Sequence, residues 1–366
     1  MMDMKVQPGI MDIAPYVGGE SDIDGAEEII KLSSNEGALG PSPEASETYA
    51  ALQRELHRYP DGECTALRQA IGDVHGVDPA GVVCGSGSDE LISLLCQSYA
   101  GPGDEVVYSQ HGFLMYPISA KAAGATPVAA PETDLTANVD ALLAAVTDKT
   151  RILFLANPNN PTGTYLPADE VIRLRDGLRN DVLLVIDAAY AEYVERADYT
   201  SGAELVETHD NVVMTRTFSK IYGLGGIRLG WAYCSESVVG VLHRVRGPFN
   251  VNGAAQAAGT AAVRDAAFTE KVRAHNAKWL PWTRDQLMNL GLFATDSVGN
   301  FVLVCFNGLA DKNAEAADAF LKQNGIIVRH MAGYGLPECL RITIGSESEM
   351  MAVVNTLARF LGRNTT

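Results

Sequence analysis

Short runs in which nearly every position is apolar recur along this chain between polar turns. They include Gly81-Val82-Val83-Cys84, Glu105-Val106-Val107-Tyr108, Arg151-Ile152-Leu153-Phe154-Leu155-Ala156 and Leu183-Leu184-Val185-Ile186-Asp187, with a shorter one at Pro127-Val128. Strands read this way when both faces of a sheet are covered, because neither face is left to water. The intervening stretches carry helical spacing: Asp89 to Tyr99 turns Leu91, Ile92, Leu94, Leu95 and Tyr99 mostly inward, and Tyr116 to Ala123 and Asp140 to Val146 are further short helices. Strand and helix signals in alternation predict the α/β class, a mainly parallel sheet between helices.

The texture changes after Val251. An Ala-rich stretch from Ala254 to about Leu290 leads to strands at Phe301 to Phe306 and Leu340 to Ile344, interleaved with helices at Asn313 to Gln323 and Glu347 to Leu361. This predicts a smaller α+β unit. The expected organisation is an N-terminal arm over 1–39, a large domain over 40–251 and a C-terminal small domain over 252–366. No internal repeat or low-complexity linker separates them, so the domains are expected to pack together.

Composition narrows the function. The 366 residues are 47% hydrophobic and 20% charged, without a run of about 20 apolar residues that could span a bilayer. The N-terminus lacks the basic segment and apolar core of a signal peptide, so a cytoplasmic location is expected. The six cysteines, at 64, 84, 96, 234, 305 and 339, are widely spaced with no CxxC pair; buried free thiols are expected, and no metal site. A formal charge of −17 opposes binding to nucleic acid or an acidic membrane. Any anionic ligand then needs locally concentrated cations, for which Arg228, Arg329 and Arg341 are candidates.

Lys220 lies in Thr217-Phe218-Ser219-Lys220-Ile221-Tyr222-Gly223-Leu224-Gly225-Gly226-Ile227-Arg228. A lysine between hydroxyls and glycines has the setting of a reacting amine, although lysines ordinarily sit on solvated faces. Asp187 closes one apolar strand and Tyr190 follows it; the Arg151 strand runs into Asn157-Pro158-Asn159-Asn160-Pro161-Thr162-Gly163, a rigid turn carrying amides. Open α/β sheets bind ligands beyond the carboxyl ends of their strands, so Lys220, Asp187, Tyr190 and Asn160 are expected in one crevice. Pyridoxal phosphate needs such a set: a lysine for its aldehyde, an acid for its pyridine nitrogen, donors for its phenolate oxygen and an anion site for its phosphate. The block Gly85-Ser86-Gly87-Ser88-Asp89-Glu90 offers exposed amides at a helix start for that phosphate. It is neither GxGxxG nor a Walker loop.

Several separated blocks together resemble a known family. They are Leu32-Ser33-Ser34-Asn35-Glu36, Arg58-Tyr59-Pro60-Asp61-Gly62, the Gly85 to Glu90 turn, Asn157 to Gly163, Asp187-Ala188-Ala189-Tyr190, the lysine block and Leu340-Arg341-Ile342-Thr343-Ile344-Gly345. In this order the chain resembles the fold type I pyridoxal phosphate aminotransferases, and within them the histidinol-phosphate aminotransferases, from about Ile13 to the last helix. The resemblance implies a mainly parallel seven-stranded sheet, and a homodimer with shared active sites. It implies Lys220 as the residue that holds the cofactor and moves the proton, Asp187 at the ring nitrogen, and Asn160 and Tyr190 at the phenolate oxygen. Gly87, Ser88, Thr217, Ser219 and Arg228 would hold the phosphate, Phe113 would stack on the ring, and Tyr59 would reach the neighbouring subunit's cofactor phosphate.

On the substrate side the resemblance assigns Arg341 to the carboxylate of glutamate. Arg329 is matched to the phosphate of histidinol phosphate, with Tyr16 and Asn35 lining the pocket. Ordinary readings stand beside these: a core aromatic for Phe113, a surface arginine for Arg329, a packed tyrosine for Tyr16. His330 is read as structural, since Lys220 already supplies proton transfer. One departure stands out, because the family usually follows Asn-Glu with Asn-Pro where this chain has Gly37-Ala38. An aromatic amino acid aminotransferase is therefore the alternative reading, and a non-catalytic cofactor-binding sensor module a second.

Overall fold

The computed structural model describes residues 5–23 and 28–363, so 1–4 and 24–27 of the expected arm and the last three residues lie outside it. Seven strands form the main sheet. Their spatial order is Val82–Gly85, Gly230–Cys234, Val212–Thr217, Leu183–Asp187, Thr150–Ala156, Glu105–Ser109 and Thr126–Ala130. All neighbouring pairs are parallel except the two made by Gly230–Cys234. The strands Gly230–Cys234 and Val212–Thr217 have no counterpart among the strands expected from the sequence.

The apolar runs have the cause expected of them. Along adjacent strands Leu153, Leu155, Leu184 and Ile186 enter one core, while Ile152, Phe154, Leu183 and Val185 enter another on the opposite face. Side chains alternate across a strand, so two covered faces require two interleaved apolar sets. Helix Ser88–Tyr99 closes the second core with Leu91, Leu95 and Cys96, all fully buried. Because the parallel strands end on one edge, the residues after Gly85, Ser109, Ala156, Asp187 and Thr217 gather there. The antiparallel strand begins where they end: Gly230 pairs with both Gly85 and Thr217, which delivers Arg228 to the same edge.

A second, four-stranded antiparallel sheet runs Phe293–Ala294, Phe301–Cys305, Cys339–Thr343, Arg329–His330. Helices Ala266–Asn289, Ala314–Gln323 and Glu347–Leu361 cover one face through Leu287, Leu321, Met350, Val353 and Leu357, packed on Val302, Val304, Leu340 and Ile342. The last helix starts in a capping box, Ser346 with Glu349. The Ala-rich stretch resolves into two helices, Gly253–Arg264 and Ala266–Asn289, broken at Asp265, whose side chain accepts from the amide of Phe268. Ile30–Lys31 pairs in parallel with Ile326–Ile327, tying the early chain to this half of the molecule. Among the described residues no helix is long and apolar enough to cross a membrane.

The expectation for the cysteines needs correction. Cys64, Cys84, Cys96 and Cys234 are buried free thiols, but Cys305 and Cys339 form a disulfide. They are directly opposed partners on adjacent antiparallel strands, a relationship that a sequence separation of 34 hides from spacing alone. Their face of the sheet, opposite Leu340 and Ile342, is also the face of Arg341.

Candidate active site

A cavity of about 270 Å³ opens at the carboxyl edge of the main sheet and is closed by the second sheet and the N-terminal arm. Lys220, Asp187, Tyr190, Asn160, Ser88, Phe113, Thr217, Ser219 and Arg228 line it from the first side. Tyr16, Asn35, Arg329 and Arg341 line it from the second. Gly87 adjoins it through Arg228. Of the residues singled out in the sequence, Tyr59 alone lies elsewhere: it is 83% exposed and stacks on Phe249 with ring centroids 4.8 Å apart. His330, set aside above, bonds through Nε2 to the carbonyl of Pro337 at 2.7 Å.

The Lys220 amine has one hydrogen-bond partner among the described residues, donating to the carbonyl of Ser34 at 3.1 Å. Desolvation in the cavity, helped by the charges of Arg341 and Arg228 and opposed by Asp89 and Glu36, lowers its pKa to about 8. A substantial fraction of the amine is therefore neutral near pH 8, as a nucleophile or base requires. Asp187 is buried, and desolvation lifts its carboxyl to about 6 against the pull of two donors. Tyr116 donates to Oδ2 at 2.8 Å and Thr215 to Oδ1 at 3.3 Å. Among the described residues no cation pairs with this carboxylate. A buried acid without a counter-ion is costly, and its neighbours fit a cationic ring nitrogen.

The anion end is built on close backbone approach. Gly87 precedes helix Ser88–Tyr99 at φ 89°, and a Cβ there would stand 2.4 Å from Nη2 of Arg228. A Cβ on Gly230 would stand 2.4 Å from the amide of Ser88. Both glycines keep the helix N-terminus open to a phosphate. Arg228 donates to the Gly225 carbonyl at 2.9 Å and to Asp89 at 3.1 Å, and the Ser219 amide donates to Oγ1 of Thr217 at 3.1 Å. These residues fit pyridoxal phosphate at each end: amine, buried acid, and an amide and guanidinium cradle.

Arg341 is buried in the middle of its strand. One nitrogen donates to the carbonyl of Ser33 at 2.7 Å, another to Oδ1 of Asn160, and Nε has no partner among the described residues. Asn160 is thus oriented with Nδ2 as its remaining donor. Asn35, at φ 55°, donates through Nδ2 to the Tyr190 hydroxyl at 2.8 Å, and its own amide donates to Oγ1 of Thr343 at 2.9 Å. Burial pushes the Tyr190 phenol well up, with Arg341 and Asn35 offsetting part of the shift. Arg329 donates to the Val17 carbonyl at 2.6 Å and Ser33 donates to the Glu20 carbonyl at 2.7 Å, so two contacts hold the arm at the cavity.

Gly37 and Ala38 do not line the cavity. A Cβ on Gly37 would meet the Lys220 carbonyl at 3.0 Å and Gly223 Cα at 3.3 Å. The Gly-Ala pair in place of Asn-Pro is therefore a change in packing behind the lysine. Tyr116, Thr215, Ser33, Ser34 and Tyr334 are site residues that the sequence-based expectation lacks. One had a signal: Thr215 shares a strand face with Thr217.

The profile of aminotransferase class I and II matches residues 27–357. The chain belongs to this family. It is 65% identical over 356 residues, 97% of this chain and 98% of the relative, to a histidinol-phosphate aminotransferase of Paramagnetospirillum magneticum. A protein of the same name from Dinoroseobacter shibae is 54% identical over 98% of this chain and 99% of its own. Among solved structures, histidinol-phosphate aminotransferase of Sinorhizobium meliloti in complex with pyridoxal-5′-phosphate superposes with TM-score 0.86 at 28% identity, covering 92% of each chain. The fold is that of the fold type I transferases, as expected.

Proposed function

We propose that this aminotransferase uses pyridoxal phosphate to move the amino group of glutamate to imidazole-acetol phosphate, giving 2-oxoglutarate and histidinol phosphate, a step of histidine biosynthesis. The observation that carries the reading is the meeting of Lys220, Asp187 and Arg341 in one cavity. The relatives at 54–65% identity supply the substrate by their names.

When bound, the cofactor supplies an electron sink that makes the substrate α-hydrogen acidic. The protein's residues supply the rest. Lys220, neutral and desolvated, would hold the cofactor through its aldehyde and, once the substrate amine has displaced it, would carry the proton to and from the substrate α-carbon. Asp187 would hold the ring nitrogen, Asn160 and Tyr190 the phenolate oxygen, and Phe113 would offer its ring to the cofactor plane. The Gly87 and Ser88 amides, Thr217, Ser219 and Arg228 would take the phosphate.

Arg341 presents a fixed planar fork to the glutamate carboxylate, and Arg329, with Tyr16 and Asn35, takes the phosphate of the second substrate. Two anions of different shape enter one pocket in turn, which guanidinium groups on either side of it accommodate. Exposed Tyr59 and Phe249, beside exposed Leu56, form an apolar surface suited to a second copy of the chain, in which Tyr59 would reach the partner's cofactor phosphate.

Specificity constants measured with histidinol phosphate and with phenylalanine, each against 2-oxoglutarate, test the reading. The expected order favours histidinol phosphate. A specificity constant for phenylalanine far above that for histidinol phosphate would replace it with an aromatic aminotransferase. Absence of turnover despite cofactor binding would point to a sensor.

A further inference from the structure

Asp187 faces the cavity with one hydrogen bond of full strength from a protein side chain. The donor is the hydroxyl of Tyr116 at 2.8 Å, and the Thr215 hydroxyl, at 3.3 Å, is a weaker second. Tyr116 does not act as a free side chain. It is fully buried in helix Met115–Ala122, its ring lies flat on Phe154 at 4.5 Å with planes 3° apart, and Phe113 meets it edge-on at 5.9 Å. Packing on two sides fixes the direction from which the hydroxyl approaches.

We propose that Tyr116 is a positioning residue for the cofactor's ring nitrogen: its hydroxyl, held rigid by Phe154 and Phe113, keeps the Asp187 carboxylate ionised and aimed into the cavity. The inference rests on the pyridoxal phosphate reading of the site. A buried carboxylate without a cation loses its charge readily. A phenol donor stabilises the ionised form, and one bond on Oδ2 fixes the rotation of the group. The same ring that sets Asp187 also props Phe113, so one tyrosine governs both the nitrogen contact and the stacking face.

The titratable and charged groups around Asp187 come from several elements. Tyr116 lies on its helix, Asp89 at the head of helix Ser88–Tyr99, and Tyr190 in the turn after the Asp187 strand, with Tyr199 beyond it. Lys220, Arg228 and Arg341 line the same cavity. Asp89 repels the Asp187 charge, which leaves Tyr116 and Thr215 as the side chains that donate to it.

The test titrates pyridoxal 5′-phosphate into cofactor-free full-length protein between pH 5 and 9 and reads binding from visible absorbance. For Tyr116→Phe the acid limb of binding should move up by about one pH unit relative to wild type, with affinities converging at high pH. Protonation of the cofactor phosphate is common to both proteins and cancels in the difference. In an Asp187→Asn background, Tyr116→Phe should add no shift. 3-Fluorotyrosine at position 116, a stronger donor of nearly the same size, should move the limb down, and this arm decides if the phenylalanine variant does not fold. An unmoved limb in the folded variants, or a shift that persists in the Asp187→Asn background, overturns the proposal. Failure of the wild-type protein to bind the cofactor at any pH would overturn the underlying reading instead.

Discussion

Arg341 and Asn160 are hydrogen-bonded to each other across the seam between the two sheets, guanidinium to amide oxygen. The proposed anchor of the substrate carboxylate thus orients the proposed donor to the cofactor's phenolate oxygen. Arg341→Ala removes a charge-assisted fork worth about 2–3 kcal/mol. A rise in the KM for glutamate on the order of 100-fold is expected. Because the two side chains share a bond, Arg341→Ala and Asn160→Ala should combine with clear non-additivity in a double-mutant cycle of kcat/KM.

Lys220 gives a pH signature. Its pKa is lowered from 10.5 to about 8, so the reactive neutral amine accumulates as pH rises through about 8. The rate at which cofactor-free protein takes up pyridoxal phosphate covalently should rise over that range. Arg341→Ala removes one of the positive charges that hold the pKa down, and its profile should lie at higher pH. Stopped-flow absorbance checks both.

Asp187 gives the opposite kind of signature, in stability. Its folded pKa is raised from 3.8 to about 6, so the native state binds the proton more tightly. The stability this contributes is full below 3.8 and is lost as pH rises through about 6. At roughly 1.4 kcal/mol per unit, the ionised group costs cofactor-free protein as much as about 3 kcal/mol at about pH 7. Asp187→Asn should therefore stabilise the cofactor-free chain at about pH 7.5, leave it nearly unchanged at about pH 4, and abolish transamination. Urea denaturation at the two pH values reads the difference.

Gly87→Ala tests the phosphate cradle. Its Cβ would lie 2.4 Å from Nη2 of Arg228, at a φ of 89° that L-residues avoid. Arg228 would have to move out of the proposed anion site, and the loss of one charge-assisted contact corresponds to about tenfold or more in cofactor affinity. Equilibrium dialysis of pyridoxal phosphate measures it, with unchanged substrate KM at saturating cofactor.

Much of the fold was legible in the sequence because strands buried on both faces leave uninterrupted apolar runs, as at Ile152 to Ala156 and Leu183 to Ile186. The strand Gly230–Cys234 was less legible: it is short, opens on glycine, and runs against its neighbours. At the site, the residues whose chemistry is unusual for their position, Lys220 among glycines and Asp187 at the end of an apolar strand, announced themselves. Tyr116 did not, since an inward tyrosine on a short helix has the same pattern as a core aromatic. The Cys305–Cys339 disulfide is hidden in the sequence because only strand register brings the two together.

The pairing of Ile30–Lys31 with Ile326–Ile327 has a consequence for synthesis. The first strand leaves the ribosome long before its partner exists, and at about 5–20 residues per second the wait is roughly 15–60 s. Arg329 and Arg341 emerge later still, after Lys220 and the whole seven-stranded sheet. A nascent chain therefore carries most of the proposed cofactor contacts before the proposed substrate arginines exist, so cofactor capture is expected to precede any competence to react.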